Sequence, residues 1–354
     1  MELEAQSLVI LRLLGGLFGF GVLVHAFQRF RQRRIARSEA AFRWLIGLAI
    51  AVICVYPDSV NSLVSMLAME RAAYGRMLVL LVLSNLALWF LLLRERGKVY
   101  LVSRNLDRFI RIFALSRGTE RERERLQGTQ ILVAMPALNE GENIGPVLQR
   151  MPEAIEGRKV GVVVIDDGSD DNTAEIVERA GYSAFSNPMR RGQGAALRLA
   201  YDIATHIGAE VVVTLDADGQ HRPEEIENVV KPILEGDSDF VVGSRLLGQR
   251  EADSKFRLAG IYLNNLLINL LAGTRISDCS SGFKAIRVSS LAKVVLTEDQ
   301  FQAAEAIIAS AHSGLRIGEA PITVLRRASG ESKKGRDITY GLNFARSVFK
   351  SWWR

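Results

Sequence analysis

The chain has 354 residues, enough for two domains, with 24% charged residues and a net charge of +6. Its mean hydropathy of +0.12 is high for that much charge, so the apolar residues are concentrated rather than dispersed. No stretch resembles a nucleic-acid-binding module, so the positive balance reads as attraction to anionic lipid, and the two cysteines, Cys54 and Cys279, give neither an expected disulfide nor a metal-binding cluster.

The apolar residues gather at the N-terminus. Residues 8–27 are nearly uncharged apart from Arg12, and about 20 such residues span a bilayer. A shorter run at 44–56 ends at Pro57-Asp58, residues 60–69 continue it with amphipathic spacing, and 77–93 form a third run. The first six residues are acidic and no small-residue cleavage site follows, which speaks against a cleaved signal peptide. We therefore expect a transmembrane domain over 1–97 with spans at about 8–27, 43–57 and 77–93; a buried helical hairpin of a soluble protein is the alternative. Arg29, Arg31, Arg33, Arg34 and Arg37 crowd the first loop, and Arg94, Arg96 and Lys98 follow the last span. The intervening loop carries only Arg71 and Arg76, offset by Asp58 and Glu70. This bias predicts a multi-pass protein of the cell (plasma or inner) membrane, N-terminus outside, with everything after Leu93 cytoplasmic. Arg12 could pair within a homo-oligomer or snorkel outward.

Residues 98–128 read as an amphipathic, charged linker helix. Leu101, Leu106, Phe109, Ile110 and Phe113 form the apolar stripe, with Arg104, Arg108 and Arg111 among them, a pattern that suits a membrane surface. The alternating charges at 120–125 read as a solvated linker. Beyond Gly128, strands are expected at 130–135, 160–165, 211–213 and 240–243, with helices after Val147 and over 174–180 and 194–207. That alternation predicts a mostly parallel α/β sheet covered on both faces.

Three of those strands end in acidic or amide clusters: residues 136–143, residues 166–173, and Asp216-Ala217-Asp218 with Gln220. In an open α/β sheet ligands bind at this edge. Alternate residues of an extended chain share one face, so Asp216 and Asp218 can converge on one hard cation such as Mg²⁺. Alone, the pair could equally be a solvated acidic turn; three clusters at one edge describe a nucleotide–metal pocket. Gly192-Gln193-Gly194 opens a helix but is no dinucleotide loop: it lacks a third glycine and does not directly follow a strand.

The segments PALNEGENI, VVIDDGSDDNT, RGQGAALR, LDADGQHRPEEI, VVGSR, ISDCSSGFKAIR and RIGEAPITVLRRASGESK resemble those of family 2 glycosyltransferases of the GT-A fold. Within that family they are close to dolichyl-phosphate mannose synthases and bacterial polyprenyl-phosphate sugar transferases. The resemblance covers 129–336, and the N-terminal spans resemble a small membrane domain found beside such transferases. It implies that Pro136, Leu138, Glu140, Asp166 and Asp167 hold the nucleoside. It also implies that Asp216, Ala217, Asp218 and Gln220 hold the diphosphate and a Mg²⁺ or Mn²⁺ ion, and that Arg245, Arg327 and Lys333 bind phosphates. Arg257 is then a candidate for the lipid phosphate. Asp278 either orients sugar or acceptor or is a structural turn carboxylate, and Glu305 either touches the donor or lies on a helix surface. His206 and His221 read as ordinary surface or helix residues.

The implied reaction moves one sugar from a nucleotide-sugar of the GDP-mannose or UDP-glucose type to a polyprenyl or dolichyl phosphate. The acceptor oxygen is already anionic at pH 7, so no strong general base is needed, and a single in-line displacement with inversion is expected. Residues 256–272 read as an interfacial or a core-packing helix. Residues 337–354, with Phe344, Phe349, Trp352, Trp353, Arg346 and Lys350, read as a membrane-interface helix. Three other functions are weighed. A non-catalytic nucleotide-binding membrane scaffold need not keep the whole metal and phosphate set. A polysaccharide synthase would carry a Gln-x-x-Arg-Trp motif, which is absent. A nucleotidyltransferase would carry a glycine-rich, lysine-bearing N-terminal loop, absent too.

Overall fold

A computed structural model describes residues 2–31, 37–66, 75–187, 189–251, 255–327 and 338–352. Contacts divide the chain into two units, Met1–Leu101 and Val102–Arg354.

The N-terminal unit is helical: α1 (Glu2–Arg31), α2 (Arg37–Val55), a 3₁₀ turn that Pro57 opens, α3 (Asn61–Met66) and the first part of α4 (Gly75–Arg117). Helices α1 and α2 pack against each other. Glycines set how closely: a Cβ on Gly19 would lie 3.0 Å from the Gly47 carbonyl oxygen, and one on Gly47 only 2.9 Å from Leu23. Small residues at such a seam let backbones approach, as between helices in lipid. Leu13, Leu17, Phe18, Leu45 and Leu48 are exposed on the outside of this pair. Among the described residues one segment, Leu13–Arg31, is long and apolar enough to cross a membrane; Ala40–Val55 and Gly260–Ala272 are shorter apolar helices. The apolar run 77–93 and the basic stripe after it are not separate elements, because α4 is one continuous helix of 43 residues.

The C-terminal unit is built on a mixed sheet. In chain order, after α5 (Glu120–Leu126), come β1 (Ile131–Ala137), α6 (Gly141–Gln149), β2 (Ala154–Ile155), β3 (Arg158–Asp166), α7 (Thr173–Arg179) and β4 (Ser183–Ser186). Then follow α8 (Gln193–Ile207), β5 (Val211–Thr214), α9 (Ile226–Leu234), β6 (Phe240–Arg250), α10 (Lys255–Ala272) and β7 (Lys284–Arg287). The unit closes with α11 (Gln302–His312), β8 (Ile317–Val324) and α12 (Ile338–Trp352). The strand order is β4-β3-β1-β5-β7-β6-β8, with β2 a two-residue addition to β3. Among the described strands only β7 runs antiparallel to both neighbours.

Both faces of the sheet are covered, which is why its strands are apolar throughout rather than alternating. Leu132, Val163, Ile165 and Val212 face one core layer with Leu199 and Ile203 of α8 and Ile307 of α11. Their sequence neighbours Val133, Val164 and Val213 face the other, with Ile144 of α6 and Val229 of α9. Within the stretch expected to be helical, residues 120–125 belong to a short helix of their own, α5, separate from α4. Thr119 and Glu122 form a capping box, each side chain taking the other's backbone N–H.

Candidate active site

The parallel strands β1, β3 and β5 end side by side. Ala137 pairs with Asp166, and the Asp167 N–H donates to the Ala137 carbonyl at 2.9 Å. The loops after β1 and β3 are stitched together. Asn139 N–H donates to Ser169 Oγ (2.9 Å), Asp170 N–H to Asn139 Oδ1 (2.8 Å), Glu140 N–H to Thr173 Oγ1 (2.9 Å) and Gly141 N–H to Asp171 Oδ2 (3.0 Å). A Cβ on Gly141 would sit 2.5 Å from Asn172 Oδ1, so a larger residue here would push the Asn172 side chain aside. Pro136 and Leu138 are half-buried beside it.

The acidic pair at the end of β3 is buried and occupied by the protein itself. Asp166 accepts from Ser169 N–H (3.0 Å), from the Ser169 hydroxyl and from Ser186 Oγ (3.3 Å). Asp167 accepts from Asn187 Nδ2 (2.9 Å) and from the N–H groups of Arg191 (3.0 Å) and Gly192 (2.6 Å). Glu140 takes Asn143 Nδ2 at 2.9 Å and receives the Arg327 guanidinium on both its oxygens. Arg327 is thereby brought from beyond β8 to the β1 loop.

Asp216 and Asp218 follow β5, with Ala217 between them buried in the core. Asp216 accepts from Gln193 Nε2 at 2.8 Å, and His221 Nε2 lies 3.9 Å from its other oxygen. A Cβ on Gly282 would fall 2.5 Å from Asp216 Oδ2, so the turn before β7 closes directly on this carboxylate. Asp218 accepts the Gln220 N–H at 3.1 Å. Burial pushes the Asp218 carboxyl up to about 6, helped by the Asp216 charge and opposed by the Gln220 N–H and Arg327. The Gln220 amide nitrogen donates to the Leu325 carbonyl at 3.1 Å, which turns its amide oxygen to other ligands. Two crowded carboxylates, one held above its ordinary range, and an amide oxygen suit a hard divalent cation. Among the described residues no group of three or more His, Cys, Asp or Glu forms a cage, so such an ion would complete its shell from phosphate and water.

Two of the residues expected to bind ligand pair with each other. Arg245 Nε donates to Asp278 Oδ2 at 2.6 Å and its backbone N–H reaches the same oxygen at 3.2 Å. Asp278 is fully buried. This pair braces the 278–282 turn whose Gly282 abuts Asp216. Glu305 is buried and accepts the N–H groups of Thr297 (2.8 Å) and Glu298 (3.0 Å), so it caps the turn before α11 rather than lying on a helix surface. Arg257 lies in α10 with its side chain outside the described residues, as is all of Lys333. His206 is exposed in α8, but His221 is buried, its ring 5.3 Å from that of Phe283. His221 and Gln193 are the site residues that the sequence reading missed. His221 follows Gln220 at the point where the chain bridges to Val324, and Gln193 was set aside with its glycines.

Residues 132–295 match the family model described as glycosyl transferase family 2. An uncharacterized protein of Methanocaldococcus jannaschii is 33% identical over 215 residues, 59% of this chain and 87% of that protein. The chain belongs to glycosyl transferase family 2. Another relative within the family is the UDP-N-acetylglucosamine–dolichyl-phosphate N-acetylglucosaminyltransferase of Methanococcus voltae, 30% identical over 55% of this chain and 85% of its own. The polyprenol monophosphomannose synthase of Mycolicibacterium smegmatis is also 30% identical, over 62% and 84%. Among solved structures, glucosyl-3-phosphoglycerate synthase from Mycobacterium tuberculosis, in complex with Mn²⁺, UDP and glucosyl-3-phosphoglycerate, superposes with a TM-score of 0.50 at 22% identity. That match covers 66% of this chain and 81% of that one. The likeness shows a GT-A fold for this family 2 transferase.

Proposed function

We propose that this transferase moves one sugar, with inversion, from a nucleoside-diphosphate sugar of the GDP-mannose or UDP-glucose type to a polyprenyl or dolichyl phosphate at a membrane. The observation that carries the reading is the convergence of Glu140, Arg327, Asp216 and Asp218 at one sheet edge. A carboxylate pair suited to a divalent cation beside a guanidinium supports the reading, because a diphosphate leaving group needs its charge neutralised. The two curated relatives named above, whose names specify dolichyl or polyprenol phosphate chemistry, support the acceptor class.

In this reading Pro136, Leu138 and Glu140 flank the nucleoside, while Asp166 and Asp167 shape its walls through the bonds they already make. Asp216, Asp218 and Gln220 would hold Mg²⁺ or Mn²⁺, which neutralises the charge that develops on the departing diphosphate. Arg327 and Lys333 attract phosphates, and Arg245, held by Asp278, braces the turn behind Asp216. Arg257 is assigned to the acceptor phosphate. The phosphate oxygen of the acceptor is already a nucleophile, so positioning and charge stabilisation suffice. Residues 1–97 would anchor the enzyme in the membrane, with 129–336 as the catalytic domain on the cytoplasmic side. Exposed apolar side chains on α4 (Leu106, Phe109), α10 (Leu263, Leu266) and α12 (Phe349, Trp352) suit a lipid surface.

The test is sugar transfer to a short polyprenyl phosphate in detergent, with a panel of UDP- and GDP-sugars run with Mg²⁺, with Mn²⁺ and with a chelator. One donor should give a single-sugar lipid, lost on chelation and in Asp218→Ala. Nucleotide binding without any lipid product would favour the non-catalytic scaffold instead.

A further inference from the structure

We infer that Asp107, on the inner face of α4, is a positioning residue for the diphosphate end of the site, acting through residues 191–194. The inference rests on the function proposed above. Asp107, Ile110, Arg111 and Ala114 fall at helical spacing and face the body of the unit, while Leu106 and Phe109 face outward. The Asp107 carboxylate gathers three guanidinium groups: Arg111 of its own helix, Arg191, and Arg198 at 3.0 Å. Burial works to raise its pKa, but the arginines outweigh burial and hold it below the ordinary carboxylate range. The charge therefore persists at neutral pH.

The segment that Arg191 belongs to is pinned on two further sides. Arg191 and Gly192 donate their backbone N–H groups to Asp167 at the end of β3. Gly194 N–H donates to the Asp299 carbonyl at 2.9 Å, and Arg198 Nη1 to the Glu298 carbonyl at 2.9 Å. The fit is close. Gly192 has φ +99, and a Cβ on Gly194 would stand 2.0 Å from the Glu298 carbonyl oxygen. Between these two glycines the chain presents one side chain to the site, Gln193, whose Nε2 donates to Asp216 Oδ1.

Asp107 thus holds one flank of a tight loop whose other flank orients a carboxylate of the cation pair. Removing its charge takes from Arg191 the carboxylate that ties it to α4, while the buried Arg198 keeps Asp299 as its anion, so the loop is freed on its Arg191 flank and can move. The move would withdraw Gln193 from Asp216. Partners standing behind a metal ligand typically cost about 10–100-fold in affinity when lost.

The experiment uses the full-length protein in detergent. Mn²⁺ binding with UDP or GDP is titrated by electron paramagnetic resonance, and donor and acceptor KM are measured, for wild type, Asp107→Asn, Asp107→Glu, Gln193→Ala and the Asp107→Asn/Gln193→Ala double variant. Asp107→Asn should weaken Mn²⁺–nucleotide binding about tenfold and raise the donor KM with little change in acceptor KM. Asp107→Glu should recover most of the loss. Gln193→Ala should reproduce it, and the double variant should be no worse than Gln193→Ala alone, as for residues acting in one chain. Equal losses toward donor and acceptor, a silent Gln193→Ala, or additive effects would overturn the inference and leave Asp107 as a helix-docking residue. Wild type that binds no Mn²⁺ with either nucleotide would overturn the functional reading, and this inference with it.

Discussion

Asp216 and Asp218 stand two residues apart at a buried strand end, and burial followed by mutual repulsion holds Asp218 at about 6. A carboxyl raised in the folded state binds its proton more tightly there than in the unfolded chain, where it titrates near 3.9. Its contribution to stability is therefore complete below about pH 4 and lost as pH rises through 6. An Asp218→Asn protein escapes that loss. In thermal melts with a chelator, the two proteins should match near pH 4 and separate by pH 7, the variant melting a few degrees higher. With Mg²⁺ and a nucleoside diphosphate only wild type should gain, because in the proposed reading Asp218 is a ligand of the ion. A difference that stays constant with pH would contradict the assignment. The carboxylate pair was legible because alternation along a strand is a local property. The Arg245–Asp278 pair was not: its partners lie 33 residues apart, and each alone resembled a ligand-binding residue.

At the scale of elements, α5 shows how a local signal sets a helix start. Inside the stretch expected to be helical, Thr119 and Glu122 carry the Ser/Thr-x-x-Glu spacing that starts a new helix after α4 ends at Arg117. The Glu122 carboxylate accepts the Thr119 N–H at 2.6 Å, and Arg125 reaches the Tyr182 carbonyl in the segment just before β4. Thr119→Ala should cost about 1 kcal/mol, read as a lower denaturation midpoint with an unchanged denaturant slope. No change would mean that α5 is held by Leu126 and its other contacts alone. The parallel strands β1, β3 and β5 were each announced by apolar runs, β-branched in β3 and β5. Strand β7 was not, because Lys284–Arg287 is four residues long and mixed in character. Only its place between β5 and β6 makes it a strand, and that place sets Gly282 against Asp216.

At the scale of the whole molecule, the proposed membrane attachment would rest on the N-terminal unit. Leu13–Arg31 supplies a helix long and apolar enough to cross, and α2 packs on α1 at a glycine seam. A chain anchored this way should stay in the membrane pellet through an alkaline carbonate wash and leave it only with detergent. Release by carbonate would mean that surface helices such as α12 carry the attachment. The α4 helix runs unbroken from Gly75 to Arg117, through the apolar run 77–93 and on to the row of residues at 107–114.

The sequence by itself determined the concentration of apolar residues at the N-terminus, the α/β alternation, the three strand-end clusters and their family resemblance. Each is written in spacing along the chain, and spacing survives without coordinates. Tertiary structure decided which polar groups meet. It carried Arg327 to Glu140, paired Arg245 with Asp278, turned Asp166 and Asp167 to support their own loops, and drew Gln193 and His221 to Asp216. These contacts join residues far apart in sequence, and a buried charge takes whichever partner the packing places beside it, since leaving it unpaired costs more than any local preference.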